Sequence, residues 1–363
     1  MSALLTVWAL AAALFSLVAV ARLRHPVAPA GRRPRPPVLL LRPLDVPTPL
    51  EEENLAAPVA YGGPLTQVVL SPFRPRLDAP QVRWLPSDPL TPNRKVGHLL
   101  YALAALPRPA DAVVLCVDSD VRVDGALVES LVEALAAGAA VASAAPRPEV
   151  GASWGAKAMR GLLTQSHHAF QVLDVMSAGA KTICGKAMAL SPAALVLLGG
   201  LGDHIGEDLE LATLLHRQRL PVRLAPSPAV VPQAPDVRLG VVLDRFTRWM
   251  QVLRSHRPLL FFPVPALFAP TPVLLVLAPA LGDGAAVLAT LGLVASRLAL
   301  AARLDGARAL RLEWLLGEAT LLVAWGLALW RGPRVTWRGR RYRLEAGGRM
   351  KPGSLAATEG APT

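Results

Sequence analysis

The sequence predicts a mostly parallel α/β domain held between apolar segments long enough to cross a bilayer. Three observations predict it. The stretch Ala112 to Val123 is a run of β-branched and apolar residues that ends in two carboxylates one residue apart, Asp118 and Asp120. A buried parallel strand reads this way when it delivers acids to the carboxyl edge of an open sheet, where such sheets bind ligands. Strand-like runs alternate along the chain with helically spaced ones, the pattern of stacked βαβ units. Finally, 53% of the 363 residues are hydrophobic and only 18% are charged, and the apolar residues collect at the two ends.

Taken in order, Ala3 to Ala21 is a nearly unbroken apolar run, long enough to span a membrane. No basic region precedes it, so a signal anchor fits better than a cleaved signal peptide. Arg22, Arg24, His25, Arg32, Arg33 and Arg35 follow in a Pro-rich linker and place what comes next in the cytoplasm. The anchor is set at residues 1–24 and the α/β domain at 25–240. Pro37 to Asp45, Leu65 to Leu70 and Gln81 to Leu85 read as strands, and Asn93 to Leu106 as a helix. After the acidic strand, Gly125 to Ala140 is a helix on Leu127, Leu131, Val132 and Leu135. Thr182 to Leu190 is a further strand, with Ser191-Pro192 opening a helix. Glu207 and Asp208 stand before a helix from Leu209 to Gln218, and Pro221 to Leu224 returns as a strand.

Val241 to His256 is amphipathic and carries Arg245, Arg248, Trp249 and Arg254; with its flank, 241–258, it suits the membrane surface. Three apolar stretches fill 259–330: Leu259 to Leu281, broken by five prolines; Ala285 to Ala302, holding Arg297; and Trp314 to Trp330, holding Glu318. Ionisable groups at that depth face protein or water, although an arginine near a helix end also snorkels. The tail, 331–363, is basic and belongs in the cytoplasm. That requires an even number of crossings after the α/β domain. With three candidates, the simplest repair makes the Pro-rich first one re-entrant or interfacial.

A net charge of +12, mostly arginine, suits nucleic acid or an anionic membrane surface. No nucleic-acid motif appears and few aromatics accompany the basic residues, so the membrane surface is favoured. Cys116 and Cys184 lack metal-ligand spacing and read as buried thiols. The Asp118-Ser119-Asp120 step has two readings: a hard divalent cation held between carboxylates and substrate phosphates, or an acidic turn.

Beyond single motifs, the order along the chain is Asn93-Arg94-Lys95, Asp118-Ser119-Asp120, Gly185-Lys186, Glu207-Asp208, then Arg245-Phe246-Thr247-Arg248-Trp249. In this order, between apolar segments, the sequence resembles family 2-type inverting glycosyltransferases, and within them the ceramide glucosyltransferase and hopanoid-associated group. Arg245-x-x-Arg248-Trp249 fits that family's closing signature, and Trp337 to Arg343 looks like the carboxyl end of ceramide glucosyltransferases. The resemblance implies a GT-A fold, a UDP-sugar donor and a membrane lipid acceptor. It implies Mg²⁺ or Mn²⁺ on Asp118 and Asp120, with Asp118 also at the donor. Asp208 becomes the base that takes the acceptor proton, and Glu207 orients the acceptor or Asp208. Arg245 and Arg248, one helical turn apart, would meet the diphosphate, Trp249 would pack beside the acceptor, and Lys95 would touch the nucleotide. Plainer roles stand beside these: solvated or headgroup-facing arginines, an interfacial tryptophan, a surface lysine. One departure from the family is visible. Where an early acid should follow the second strand, the chain reads Val69 to Arg74 without a carboxylate, so Asp45 or Asp78 must substitute or the nucleotide contacts are weaker. Ceramide is the acceptor implied, a hopanoid or another lipid alcohol the alternative. Glucose and N-acetylglucosamine both remain open, and so does a non-catalytic protein that binds lipid or nucleotide.

Overall fold

The computed structural model describes residues 2–23, 35–77, 79–337 and 339–352. Arg24, His25, Arg32, Arg33 and Asp78 lie outside them, so the expectations placed on those residues find no counterpart here.

The apolar N-terminal run is one helix, α1 (Ser2–Arg22). The α/β domain then alternates as expected, through β1 (Val38–Pro43), α2 (Pro49–Ala56), β2 (Leu65–Ser71), β3 (Val82–Pro86), α3 (Arg94–Ala105), β4 (Val113–Val117) and α4 (Gly125–Ala136). It continues with β5 (Val141–Pro148), α5 (Trp154–Thr164), α6 (Phe170–Met176), β6 (Ala187–Leu190), α7 (Pro192–Leu198), α8 (Glu207–Arg217) and β7 (Val222–Val231). Helix starts follow local chemistry. Asn93, Asp124 and Ser191 each accept an amide of the first turn, and Thr48 forms a reciprocal capping box with Glu51.

The seven strands form one sheet in the order β3-β2-β1-β4-β6-β5-β7, parallel throughout except that β6 runs against both of its neighbours. Alternation along the buried strands divides the core. Leu39, Leu41, Val68 and Leu70 pack under α3, α7 and α8, while Leu40, Leu115 and Val117 face Leu127 and Leu131 of α4. From β1 the chain builds outward to β3, then returns to lay β4 on the other side of β1. The crevice between the carboxyl ends of β1 and β4 is therefore the switch point of the sheet. Asp118 stands there. The strand expected over Thr182 to Leu190 begins only at Ala187, because Gly185 and Lys186 are drawn into contacts at this edge.

The rest of the chain is α9 (Leu239–His256), α10 (Pro258–Phe261), a π-helical turn at Val264–Phe268, α11 (Thr271–Ala280), α12 (Gly284–Asp305), a 3₁₀ turn at Gly306–Arg311, α13 (Glu313–Arg331) and a three-stranded sheet of β8 (Arg334–Trp337), β9 (Arg340–Leu344) and β10 (Met350–Pro352). Among the described residues two helical stretches are long and apolar enough to cross a membrane, Ala3–Arg22 and Gly284–Arg311. The pair Pro258–Phe268 and Thr271–Ala280, bent by 50°, qualifies if counted as one span. α1 and α12 run parallel. Leu5, Ala9 and Ala12 meet Ala286, Ala289 and Leu293, while Ala19 and Leu23 meet Leu300 beside Ala169 and Val172 of the α/β domain. Small residues at this seam let the helix backbones approach closely.

Two features differ from the sequence expectation. The apolar face of α9 is not left for a membrane: Val242, Phe246 and Met250 are buried against Met159 and Leu162 of α5 and Leu321 and Ala324 of α13. The stretch Trp314 to Trp330 does not lead away from the α/β domain either. α13 is tied at one end to the domain, through Glu313 with Arg160 of α5, and at the other to α9, through Arg331 with Asp244. The arginine and glutamate inside the apolar stretches also find their partners. Arg297 Nε lies 2.9 Å from Glu318, Arg297 Nη2 donates to the Leu267 carbonyl at 2.6 Å, and Glu318 accepts the Thr271 amide at 3.2 Å. The pair thus caps the two backbone groups exposed where the bent segment breaks before Thr271.

Candidate active site

At the switch point, Asp118 to Val121 forms a tight turn, with the Val121 amide donating to the Asp118 carbonyl. Arg42, fully buried on β1, holds this turn from below. Its Nη2 donates to the Val121 carbonyl at 2.6 Å, the Asp118 carbonyl at 3.1 Å and the Ser119 carbonyl at 3.4 Å. Ser119 is tied to Glu51 of α2 at 2.6 Å. Sequence reading missed Arg42, although a lone arginine in an otherwise apolar strand is the signal that marks it.

Two lysines organise the carboxylates. Lys95 Nζ lies 2.9 Å from Asp118 Oδ1 and 3.1 Å from Glu207 Oε1, and it donates to the Gly185 carbonyl. An ammonium has three N–H groups, so in this arrangement Lys95 has none left for a ligand. Asn93, the cap of α3, donates to Glu207 Oε2 at 2.9 Å and so fixes the other carboxylate oxygen. Lys186 Nζ lies 2.7 Å and 2.5 Å from the two oxygens of Asp120 and 3.2 Å from Asp118 Oδ2. Asp118 and Asp120 therefore converge on a single positive charge.

Asp208 opens α8 behind Gly206, which takes a left-handed φ of 70°. Its Oδ2 accepts the Gly185 amide and its Oδ1 the Leu209 amide, both at 2.9 Å. A side chain at Gly185 would bring a Cβ to 3.1 Å from Asp208 Oδ2, 3.2 Å from Lys95 Nζ and 3.4 Å from Glu207 Oε1. The bare backbone here bonds Asp208 and Lys95, and a Cβ would force these neighbours to give by a few tenths of an ångström. The electrostatics split the acids. Burial, reinforced by Glu207, pushes the Asp208 carboxyl up to about 6 against the pull of Lys95 and the two amides. Burial also pushes Asp118 up, but Lys95 and Lys186 outweigh it and hold that carboxyl at about 2. One acid near neutrality beside another that stays ionised is the arrangement that divides proton transfer from charge binding.

The predicted basic signature is divided. Arg245 is close enough to Lys186 to oppose its charge, and it has no ion-pair partner among the described residues. Arg248 instead lines a cleft of about 410 Å³ with Asp244, Gln251, Arg331, Arg334 and Thr336, beneath the tail sheet. Trp249 packs on Phe246 at 4.9 Å and stacks on His168 at 6.2 Å between ring centroids; burial lowers His168 to about 4, so it is neutral. At the site of the missing early acid, Ser71 donates to the Phe73 carbonyl and accepts the Trp84 indole N–H at 3.2 Å. Asp45 is engaged elsewhere, 2.8 Å from Arg94 Nε and 3.6 Å from His98.

The tail sheet reaches the site through the loop before α8. The Ile205 amide donates to the Gly348 carbonyl at 2.9 Å, the Met350 amide to the Asp203 carbonyl at 2.7 Å, and His256 Nε2 lies 2.8 Å from the Ile205 carbonyl.

The glycosyl transferase family 21 model matches residues 82–350, from β3 to the start of β10, leaving out α1, β1, α2 and β2. The chain belongs to glycosyl transferase family 21. A solved mannosyltransferase, PcManGT from Pyrobaculum calidifontis in complex with GDP-Man and Mn²⁺, aligns over 91% of this chain and 98% of its own at 21% identity, with a TM-score of 0.51. At that identity the likeness speaks for the fold, which is the GT-A-like α/β fold. A mycobacterial protein of solved structure aligns over 66% of this chain and 78% of its own at 15% identity, with a TM-score of 0.37. No curated protein matches the family 21 chain.

Whether Asp118 and Asp120 suit the divalent cation that the fold implies can be tested on Lys186. Both carboxylates already aim at one cation, its ammonium, and both offer the hard oxygens that Mg²⁺ or Mn²⁺ prefers. Among the described residues no group of three or more His, Cys, Asp or Glu converges, so the remaining ligands must come from a diphosphate and water. The residues fit on those terms.

Proposed function

We propose that the chain is a membrane-bound inverting hexosyltransferase that moves a sugar, glucose in the first reading, from a UDP-sugar to the hydroxyl of a ceramide-like membrane lipid. The observation that carries this reading is Asp208, raised to about 6 and joined through Gly185, Lys186 and Lys95 to the ionised pair Asp118 and Asp120. In the transfer, Asp208 accepts the proton of the acceptor hydroxyl as its oxygen bonds to the anomeric carbon. The bond from that carbon to the diphosphate breaks on the opposite face and the electron pair leaves with UDP. Glu207, clamped by Asn93 and Lys95, raises the basicity of Asp208 by proximity. Lys95 acts as a positioning residue for Asp118 and Glu207, and Arg245 meets the diphosphate. Trp249 and Arg248 hold the acceptor side of α9. Asp118 and Asp120 would hold Mg²⁺ or Mn²⁺, which when bound neutralises the leaving diphosphate.

Membrane action rests on α1, α12 and the bent pair. We count the bent pair as one crossing outward and α12 as the return, with α13 lying along the α/β domain. Two crossings are even, as the basic tail requires, and the domain and tail then face the cytoplasm at an anionic surface. The multi-pass protein would sit in the cytoplasmic membrane.

The test is incorporation of label from a panel of UDP-sugars into lipid, with ceramide, hopanoid and total-lipid acceptors in parallel. Transfer from UDP-glucose to ceramide, lost in Asp208→Asn, is the result expected. Transfer from UDP-N-acetylglucosamine to a hopanoid or another lipid alcohol would keep the chemistry and replace the substrates. A second reading, a non-catalytic binder of lipid or nucleotide, is favoured by the Ser71–Trp84 pair standing where the family's early acid belongs. Donor binding with no transfer to any acceptor would establish it.

A further inference from the structure

Lys186 has no role in the chemistry above, yet it occupies the centre of the acidic pair. Its position is fixed by backbone rather than by its side chain. The Asp118 amide donates to the Lys186 carbonyl at 2.9 Å, and the preceding Gly185 is held at its amide by Asp208 and at its carbonyl by Lys95. The ammonium rides on a four-carbon stem above this anchored backbone, about one-fifth exposed. Arg245, a second cation without an ion-pair partner among the described residues, is close enough to oppose the Lys186 charge. Two like charges that repel each other are relieved by an anion that meets both.

Charge counting decides what state an incoming diphosphate would meet. Lys95 and Lys186 face Asp118, Asp120, Glu207 and, above about pH 6, an ionised Asp208. With Arg42 beneath the Asp118 turn and Arg245 within electrostatic reach, four cations stand against four carboxylates, so the pocket holds no surplus of positive charge, and the Lys186 ammonium is spent on carboxylates. A diphosphate entering this pocket finds the Lys186 ammonium already engaged until a stronger cation takes over Asp118 and Asp120.

Resting on the donor-site reading above, we propose that Lys186 is an exchangeable cation. It closes Asp118 and Asp120 in the empty site, yields them to the divalent cation, and then pairs with Arg245 against the donor diphosphate. Lys186 thus competes with the metal before the donor arrives and cooperates with it afterwards.

Metal and nucleotide binding test this without turnover. Mn²⁺ is titrated into the detergent-solubilised full-length protein without nucleotide and followed by electron paramagnetic resonance. UDP is then titrated by calorimetry at saturating Mn²⁺. In Lys186→Gln, Mn²⁺ should bind about tenfold more tightly, because its competitor is gone, while UDP should bind about tenfold more weakly. Lys186→Arg, which keeps the charge and grips the carboxylate pair with a fork, should bind Mn²⁺ more weakly than the parent and guards against misfolding of the neutral variant. A parent that binds Mn²⁺ and UDP, with Mn²⁺ affinity unchanged in both variants, overturns the exchange while leaving the donor site intact. A parent that binds neither overturns the donor-site reading and the exchange with it.

Discussion

Asp208 and Asp118 share Lys95 as a neighbour, and both are affected by burial, yet their carboxyls move in opposite directions, to about 6 and about 2. The difference is the number of cations each touches: Asp118 has two lysines, Asp208 only backbone amides and a like-charged Glu207. Because the folded pKa of Asp208 is raised, the folded protein keeps its proton to higher pH than the unfolded chain does. Its ionised form therefore costs stability above about pH 6 and costs none well below pH 4. The base is available only above that pKa, so kcat/KM should climb with pH through about 6 and level off above it. Asp208→Asn should lose roughly 10²–10⁴-fold in turnover and abolish that limb while UDP still binds. A variant that turns over near the parent rate would leave Asp208 as a mere partner of the helix dipole. Lys95 makes the contrary case. Lys95→Met strips Asp118, Glu207 and the Gly185 carbonyl of their shared donor and should cost about 3–5 kcal/mol of stability. Chemical denaturation of the variant measures it, and a loss below 1 kcal/mol would show the lysine to be a peripheral contact.

Most of the elements that carry these residues were legible because their signals are local. The apolar strand before Asp118, the helix that follows Asn93 and the acidic start of α8 all lie where the sequence puts them. What the sequence did not reveal depends on distant partners. Arg42 reads as an odd charge until the Asp118 turn is laid across it. The strand expected before Lys186 is shortened by contacts to residues about 23 and 66 positions away. The amphipathic face of α9 looks ready for a membrane because periodicity cannot distinguish lipid from α5 and α13. The tail read as a basic appendage, yet β8 to β10 form a sheet that straps the loop before α8. Gly348 has a left-handed φ of 75°, and a Cβ there would lie 1.8 Å from His256 Nε2. Gly348→Val should therefore push the tail off this loop and lower kcat more than it changes UDP affinity, because Asp208 follows the loop and the donor carboxylates do not. Steady-state kinetics beside UDP calorimetry separates the two effects. Equal losses in both would make the tail a general stabiliser.

Taken as a whole, the molecule joins its apolar helices to the α/β domain through contacts that fix which ends lie together. The late ends of α1 and α12 meet Ala169 and Val172, and Asp305, closing α12, is buried against Arg160 of α5 at 2.6 Å. The early end of α12 instead lies with Leu5, Leu274 and Ala278, beyond the turn that joins α11 to α12. α13 returns one end to the domain at Arg160 and the other to α9 at Asp244, and the tail pairs with the loop of Asp203 to Ile205. If the bent pair and α12 are the two crossings, every residue of the domain and tail faces one side, and the turn at Gly282 to Gly284 faces the other. Both native cysteines are buried, so single cysteines can report without interference from a thiol-free parent being essential. Ala137→Cys on the domain and Ala346→Cys on the tail, both exposed, should react with a membrane-impermeant maleimide only after the cell membrane is opened. Gly284→Cys should react in intact cells. The positive-inside bias sets this polarity, since the tail carries Arg331, Arg334, Arg340, Arg341 and Arg343. Labelling of Ala346→Cys but not Ala137→Cys in intact cells would mean that α13 also crosses, which would separate Glu313 from Arg331 by a bilayer. Protection of all three positions would instead make the bent pair and α12 a re-entrant hairpin that never reaches the far side.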